Sequence, residues 1–234
     1  MATYDDPLDR PPPPTEVLGR RFAGVLKPPL LDVIQWGSLR MTYRGVAMLK
    51  DPFDLALYTM LIGRLRPRTL IEIGTASGGS ALWFADTMSA HGIEAPRIIS
   101  IDIEPKSEVA DERIEFLEGD ARALAEVLPP QSMATIARPL LAIDDGSHLM
   151  EDIVPAIEYL HGHLRPGDYL VVEDGNLSEF SHPAYRVFDS GPNRAVAAFL
   201  AAHPDDYDID TDLCDHFGYN VTANPNGWLR RRED

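Results

Sequence analysis

Thr69-Leu70-Ile71-Glu72-Ile73-Gly74-Thr75-Ala76-Ser77-Gly78-Gly79-Ser80 is the stretch on which the fold turns. Its first five residues form a short apolar run, the pattern of a strand covered on both faces. A glycine-rich loop follows, and Gly78 opens a helical pattern that runs through about Met88. The same rhythm recurs downstream. Arg97 to Asp102, Ile114 to Leu117, Leu140 to Ile143 and Tyr169 to Val172 read as further strands. Helices are expected over Ala121 to Val127, Met150 to Leu160 and Arg194 to Ala202. Strands alternating with helices require right-handed crossovers, so the expected fold is doubly wound α/β, a mostly parallel sheet with helices on both faces. Tyr207 to Asp210 and Gly227 to Arg230 are expected to add antiparallel edge strands.

Upstream, Asp51-Pro52 is an N-cap followed by proline at the first helical position, and Leu55, Tyr58 and Ile62 recur at helical spacing. Residues 51–234 are therefore expected to be the main domain. Residues 17–50 carry glycine breaks and poor periodicity, which suggests an irregular or short helical extension, either a lid or simply packed on the domain. Residues 1–16 include four consecutive prolines and are expected to be a disordered or polyproline-like leader.

The formal charge of −16 argues against nucleic acid and against anionic membranes, both of which need basic surface. No apolar run reaches the roughly 18 residues of a membrane span. The single Cys214 allows no internal disulfide and no cysteine-rich metal site, so a reducing cytoplasm is expected. A small-molecule acceptor is the expected partner.

Open α/β sheets bind ligands at the carboxyl ends of their strands, where the loop after Ile73 lies. That loop has no P-loop lysine, and its spacing is not the dinucleotide G-x-G-x-x-G. Glu72 stands just before its first glycine, where a carboxylate would repel a pyrophosphate and attract a cationic ligand. S-adenosylmethionine carries both a sulfonium and an ammonium. The loop resembles the class I methyltransferase pattern E/D-x-G-x-x-x-G, which implies cofactor contacts at Glu72, Gly74, Thr75, Ala76, Ser77, Gly78 and Ser80. Asp102, ending the second strand, is placed to accept from both ribose hydroxyls, and Asp120-Ala121 matches the adenine-edge position.

Asp144-Asp145 and Glu173-Asp174 end two strands that neighbour each other in such a sheet. Side chains alternate along a strand, so at least one carboxylate of each pair should face the crevice. Clustered carboxylates either raise a pKa or bind a cation, and oxygen-only ligands favour a hard ion such as Mg²⁺. His148, three residues after Asp145, is placed to take a proton from an acceptor hydroxyl. The alternative is that the first acid pair only caps the next helix and the second only makes a turn.

The segments IEIGTASGGSALW, IDDGSH, YLVVEDGN and NPNGWLRR are similar to those of the cephalosporin hydroxylase family and its macrolide-sugar relatives, from about Trp36 to Arg231. These are metal-dependent O-methyltransferases on a Rossmann-like sheet. The resemblance implies Asp145, Glu173 and Asp174 as metal ligands and His148 as general base. It leaves Asp144 to the cofactor's methionine end or to a cap. Relatives commonly assemble, so a homo-oligomer is expected.

The implied reaction is Mg²⁺-dependent methyl transfer to a hydroxyl with a neighbouring oxygen, as in a sugar diol, a catechol or a hydroxy acid. Two other readings stand beside it: an oxygenase using the same acids for iron, and a non-catalytic cofactor-binding protein. An oxygenase normally needs a two-histidine, one-carboxylate face. His161 and His163 are expected on the surface at a helix end, whereas His182 and His216 could approach from loops. The long loop from Asn176 to Asn193 is the expected place for acceptor recognition.

Overall fold

A computed structural model describes residues 11–233. The first ten residues of the expected proline-rich leader lie outside that range. Seven strands form one sheet: β1 (Thr69–Ile73), β2 (Arg97–Asp102), β3 (Ile114–Glu118), β4 (Leu140–Asp144), β5 (Tyr169–Val172), β6 (Tyr207–Ile209) and β7 (Trp228–Arg231). Their order is β6-β7-β5-β4-β1-β2-β3. Strands β1 to β5 pair in parallel. β7 runs antiparallel to β5, and β6 antiparallel to β7, so both expected C-terminal strands are antiparallel, but only β6 is at the edge and β7 is paired on both sides. The chain winds outward from β1 through β2 and β3, then returns to the other side of β1 to lay down β4. Strand order therefore reverses between β1 and β4, which places a crevice there.

The helices that matter for the site are α1 (Pro28–Ser38), α2 (Pro52–Leu65), α3 (Gly79–Ala90), α4 (Met150–His161) and α5 (Gly191–Ala202). Alternation along the strands divides the core. Leu70, Ile98, Leu141, Ile143 and Val171 pack with Leu57, Tyr58, Leu61 and Ile62 of α2 and Ala81, Phe84 and Met88 of α3. The intervening residues, Ile71, Ile73, Ile99, Ile101, Ala142 and Leu170, pack with Ile153, Ile157 and Leu160 of α4 and Val196, Phe199 and Leu200 of α5. Each strand is thus apolar on both faces because each face has its own helical layer. Asp51 caps α2 through its side chain, which accepts from Phe53 N at 2.8 Å.

Residues 17–50 hold more order than their periodicity suggests. They contain α1, and two antiparallel ladders: Glu16–Val17 with Arg20–Arg21, and Thr42–Tyr43 with Val46–Ala47. The segment is stitched to the C-terminal loops. Arg20 bonds Asp215 at 2.7 Å and Asn226 at 2.8 Å, and Asn220 Nδ2 donates to the carbonyls of Arg21 and Phe22. The helix expected over 121–127 is instead a 3-10 turn at Ala121–Ala123 followed by the short Leu124–Val127. Asp120 accepts from Arg122 N and pulls the first turn tight, and Pro129-Pro130 stops the second. Arg230 and Arg232 both pair with Asp208 of β6.

Trp228 is fully buried, its ring 4.7 Å from that of Tyr58. Trp228→Ala is expected to cost about 3–5 kcal/mol of stability, read as a lower urea midpoint at unchanged m-value.

Candidate active site

Register brings the strand ends level. Ile73 pairs with Ile101 on one side and Asp144 on the other, and Asp144 pairs with Val172. The residues that follow, Gly74, Asp145 and Glu173, therefore start three adjacent loops at one height. Backbone bonds tie those loops together: Gly74 N donates to Ile101 O, Asp145 N to Ile73 O, and Glu173 N to Asp144 O. Gly74 has φ +98°, and a Cβ there would run into the Asp145 carbonyl. Only glycine fits so close a crossing at so positive a φ.

These loops open into a cavity of about 560 Å³. Of the expected cofactor contacts, Gly74, Thr75, Ala76, Ser80, Asp102, Asp120 and Ala121 line it. Glu72, Ser77, Gly78 and Asp144 do not: Glu72 and Asp144 lie buried behind its wall, and Gly78 opens the helix at φ +81°. Asp102 is committed to the loop itself. Its Oδ2 accepts from Thr75 N at 2.9 Å and Ala76 N at 3.1 Å, holding Ala76 at φ +43°. Asp120 pairs with Arg122 at 2.6 Å.

Asp145, His148, Glu173 and Asp174 line the same cavity. Asp145, His148 and Asp174 each offer a ligand atom within 4.8 Å of the others. His148 Nε2 is 3.4 Å from Asp174 Oδ2. Both residues stand in the left-handed region, at φ +60° and +62°, conformations that side chains of this kind adopt at a cost and that cluster at functional sites. Glu173 turns differently. Its Oε1 accepts from Lys50 Nζ at 2.7 Å and Tyr58 OH at 2.5 Å.

Lys50 is absent from the expected site. Its Nζ also donates to Asp145 Oδ2 at 2.6 Å and lies 4.0 Å from Glu72 Oε1, with the side chain 2% exposed. The one signal for it in the sequence is a lysine that follows the apolar Val46-Ala47-Met48-Leu49 and precedes a helix cap. His182 and His216 are exposed and do not line the cavity. His161, expected on the surface, is partly covered: it stacks on His203 with centroids 3.8 Å apart, at the far end of α4.

Burial dominates the electrostatics here. It pushes the Glu72 carboxyl up to about 7 against the pull of Lys50, and Asp144 up to about 7 against that of His148. Burial also raises Asp145, Glu173 and Asp174. For Lys50 burial acts downward, but Asp145, Glu173 and Glu72 together outweigh it and hold the ammonium well above the usual lysine range. Tyr58 is raised by burial and by Glu173, and stays a donor.

Residues 36–232 match the model of the rhamnosyl O-methyltransferase/CmcI family. The rhamnosyl O-methyltransferase of Mycobacterium tuberculosis (strain H37Rv) is 32% identical over 206 residues, covering 82% of this chain and 78% of that protein. Its Mycobacterium leprae counterpart is 34% identical over 198 residues, covering 82% and 83%. A solved structure of CmcI with Mg and SAM superposes with a TM-score of 0.62 at 28% identity, over 83% of this chain and 78% of that one.

Glu72 also sets a pH dependence. Its folded value of about 7 lies above the usual glutamate value of about 4.3, so folding favours the protonated form. That contribution is complete at acid pH and is lost as pH rises through about 7. Glu72→Gln is expected to flatten the fall in stability between about pH 5 and pH 8, measured by urea midpoints across that range.

Proposed function

The chain belongs to the rhamnosyl O-methyltransferase/CmcI family and is an O-methyltransferase, and from that premise we propose that it moves the methyl group of S-adenosylmethionine to a hydroxyl of a small molecule with neighbouring oxygens. A sugar diol is the favoured acceptor, because the curated relatives carry rhamnosyl in their names. One observation carries the reading: the glycine loop and the Asp145–His148–Asp174 cluster line one and the same cavity.

The residues fit a divalent ion. The hydrogen bonds that Asp145 and Glu173 receive use Oδ2 and Oε1, which leaves Oδ1 and Oε2 for another partner. Asp145 and Asp174 bring ligand oxygens within 4.8 Å of each other beside His148, and Glu173 Oε2 is proposed as the third oxygen of a set suited to Mg²⁺. The cofactor end fits as well. The glycine loop, with Gly74 at φ +98°, leaves the backbone open to a ligand's close approach, and Asp102 and Asp120 line the same cavity. When bound, the metal supplies Lewis-acid polarisation of the acceptor's neighbouring oxygens, and the sulfonium supplies the methyl.

The chain does the rest by position and proton handling. His148 takes the hydroxyl proton, with Asp174 at 3.4 Å to orient the ring. Phe188 meets His148 edge-on at 5.4 Å, and with Tyr185 forms the wall from the long loop, limiting water and fixing the acceptor's approach. The oxygenase reading finds no support in this lining: His148 is its one histidine among the described residues, where a facial iron triad needs two.

Labelled-methyl transfer into rhamnosides and other vicinal-diol sugars tests the proposal. Activity is expected with Mg²⁺ and not with EDTA. Asp145→Ala should abolish turnover while S-adenosylmethionine binding persists, and His148→Ala should lower kcat by about 10²–10⁴. Undiminished turnover in EDTA, or O₂ consumption without methyl transfer, contradicts it.

Self-association belongs to the same proposal. Leu30, Val33, Trp36 and Leu39, on α1 and just beyond it, are exposed and apolar, which supports a subunit contact there. Trp36→Ser is expected to lower the molar mass seen by light scattering; an unchanged mass removes α1 from the contact.

A further inference from the structure

The best-buried cation of the site comes from the segment before the main domain. Lys50 stands within 2.7 Å of Asp145 and Glu173 and 4.0 Å of Glu72, its side chain 2% exposed. One carboxylate on β1 and two in the loops just after β4 and β5 thus share one ammonium. Glu173 is 4% exposed and Glu72 is fully buried, so neither can turn to water for compensation. Buried like charges at this range repel strongly unless a counter-charge sits among them. Tyr58 adds a neutral hydrogen bond to Glu173 but no charge.

We propose that Lys50 is the resident counter-cation of the active site, a positioning residue that holds Asp145 and Glu173 in a preformed arrangement and ties them to Glu72 behind the glycine loop. The assignment uses the reading of these acids as ligands of a divalent ion, but its first consequence concerns the protein without metal. There, Lys50 does what a bound cation would do. It neutralises the strand-end acids, holding Asp145 by Oδ2 and Glu173 by Oε1, so their other oxygens remain for a ligand. It also crosses from the N-terminal segment to loops 95 and 123 residues later, so that segment is part of the site and not an accessory to it.

Thermal unfolding of the full chain tests this. Lys50→Met keeps most of the aliphatic stem and removes the charge. In EDTA it should lower Tm by about 10 °C, because it strands buried carboxylates. Adding Glu173→Gln to Lys50→Met removes one ammonium and one carboxylate together, and should bring the EDTA Tm back to within about 3 °C of the parent. Mg²⁺ should raise the Tm of Lys50→Met more than that of the parent, since the ion then supplies the missing charge.

A Lys50→Met protein that melts with the parent in EDTA overturns the proposal. So does a double variant that melts with, or below, the single one, because lost packing would not respond to Glu173. Where Lys50→Met yields no folded protein, the double variant decides: recovery of folding supports the proposal and failure overturns it. Recovery in the double variant with no effect of Mg²⁺ on any sample leaves Lys50 as counter-cation and removes the divalent-ion reading instead.

Discussion

Parallel register is the constraint from which the site follows. With Ile73, Asp144 and Val172 in one row across three strands, the residues that follow them, Gly74, Asp145 and Glu173, leave the sheet at the same height. A slip of one residue in β4 or β5 would reverse which side chains face the helices and which face the cavity. That register is protected by the apolar alternation, since Leu141 and Ile143 face one helical layer while Leu140 and Ala142 face the other. The core therefore sets where the acids end up.

What the register creates is a charge problem. Glu72, Asp144, Asp145, Glu173 and Asp174 gather at the reversal of strand order, and burial raises the carboxyl pKa of every one. The protein answers with Lys50, with Tyr58, and with the imidazole of His148. Each lies on a different piece of chain: the segment leading to α2, α2 itself, and the loop after β4. A cavity with cationic ligands in view is the chemical counterpart of this excess of acid, consistent with a sulfonium cofactor and a divalent ion.

Strain and close approach are concentrated at the same edge. Ala76, His148 and Asp174 are all in the left-handed region, and Gly74 passes too near the Asp145 carbonyl for any side chain. Asp102 spends both of its oxygens on backbone N–H groups, Oδ2 on the glycine loop and Oδ1 on Glu104. Its carboxylate shapes the loop before it meets any ribose, a role that strand-end position alone does not reveal.

By itself the sequence determined the elements and the kinds of chemistry available. Five strand runs, the glycine turn after Ile73, the cap at Asp51 and the two acid pairs are local patterns, carried by neighbours a few residues apart. The partners of those acids are another matter. That Glu173 turns to Lys50 and Tyr58, while Asp174 turns to His148, depends on contacts bridging 123, 115 and 26 residues, the last being 174 minus 148. The tightened turn after Asp120 likewise depends on a side chain competing with the backbone, which a periodic pattern does not register. Local propensity and alternation are summed along the chain; the pairing of buried charges is decided across space. Only the folded sheet places an ammonium from the loop before α2 among carboxylates at the ends of three strands.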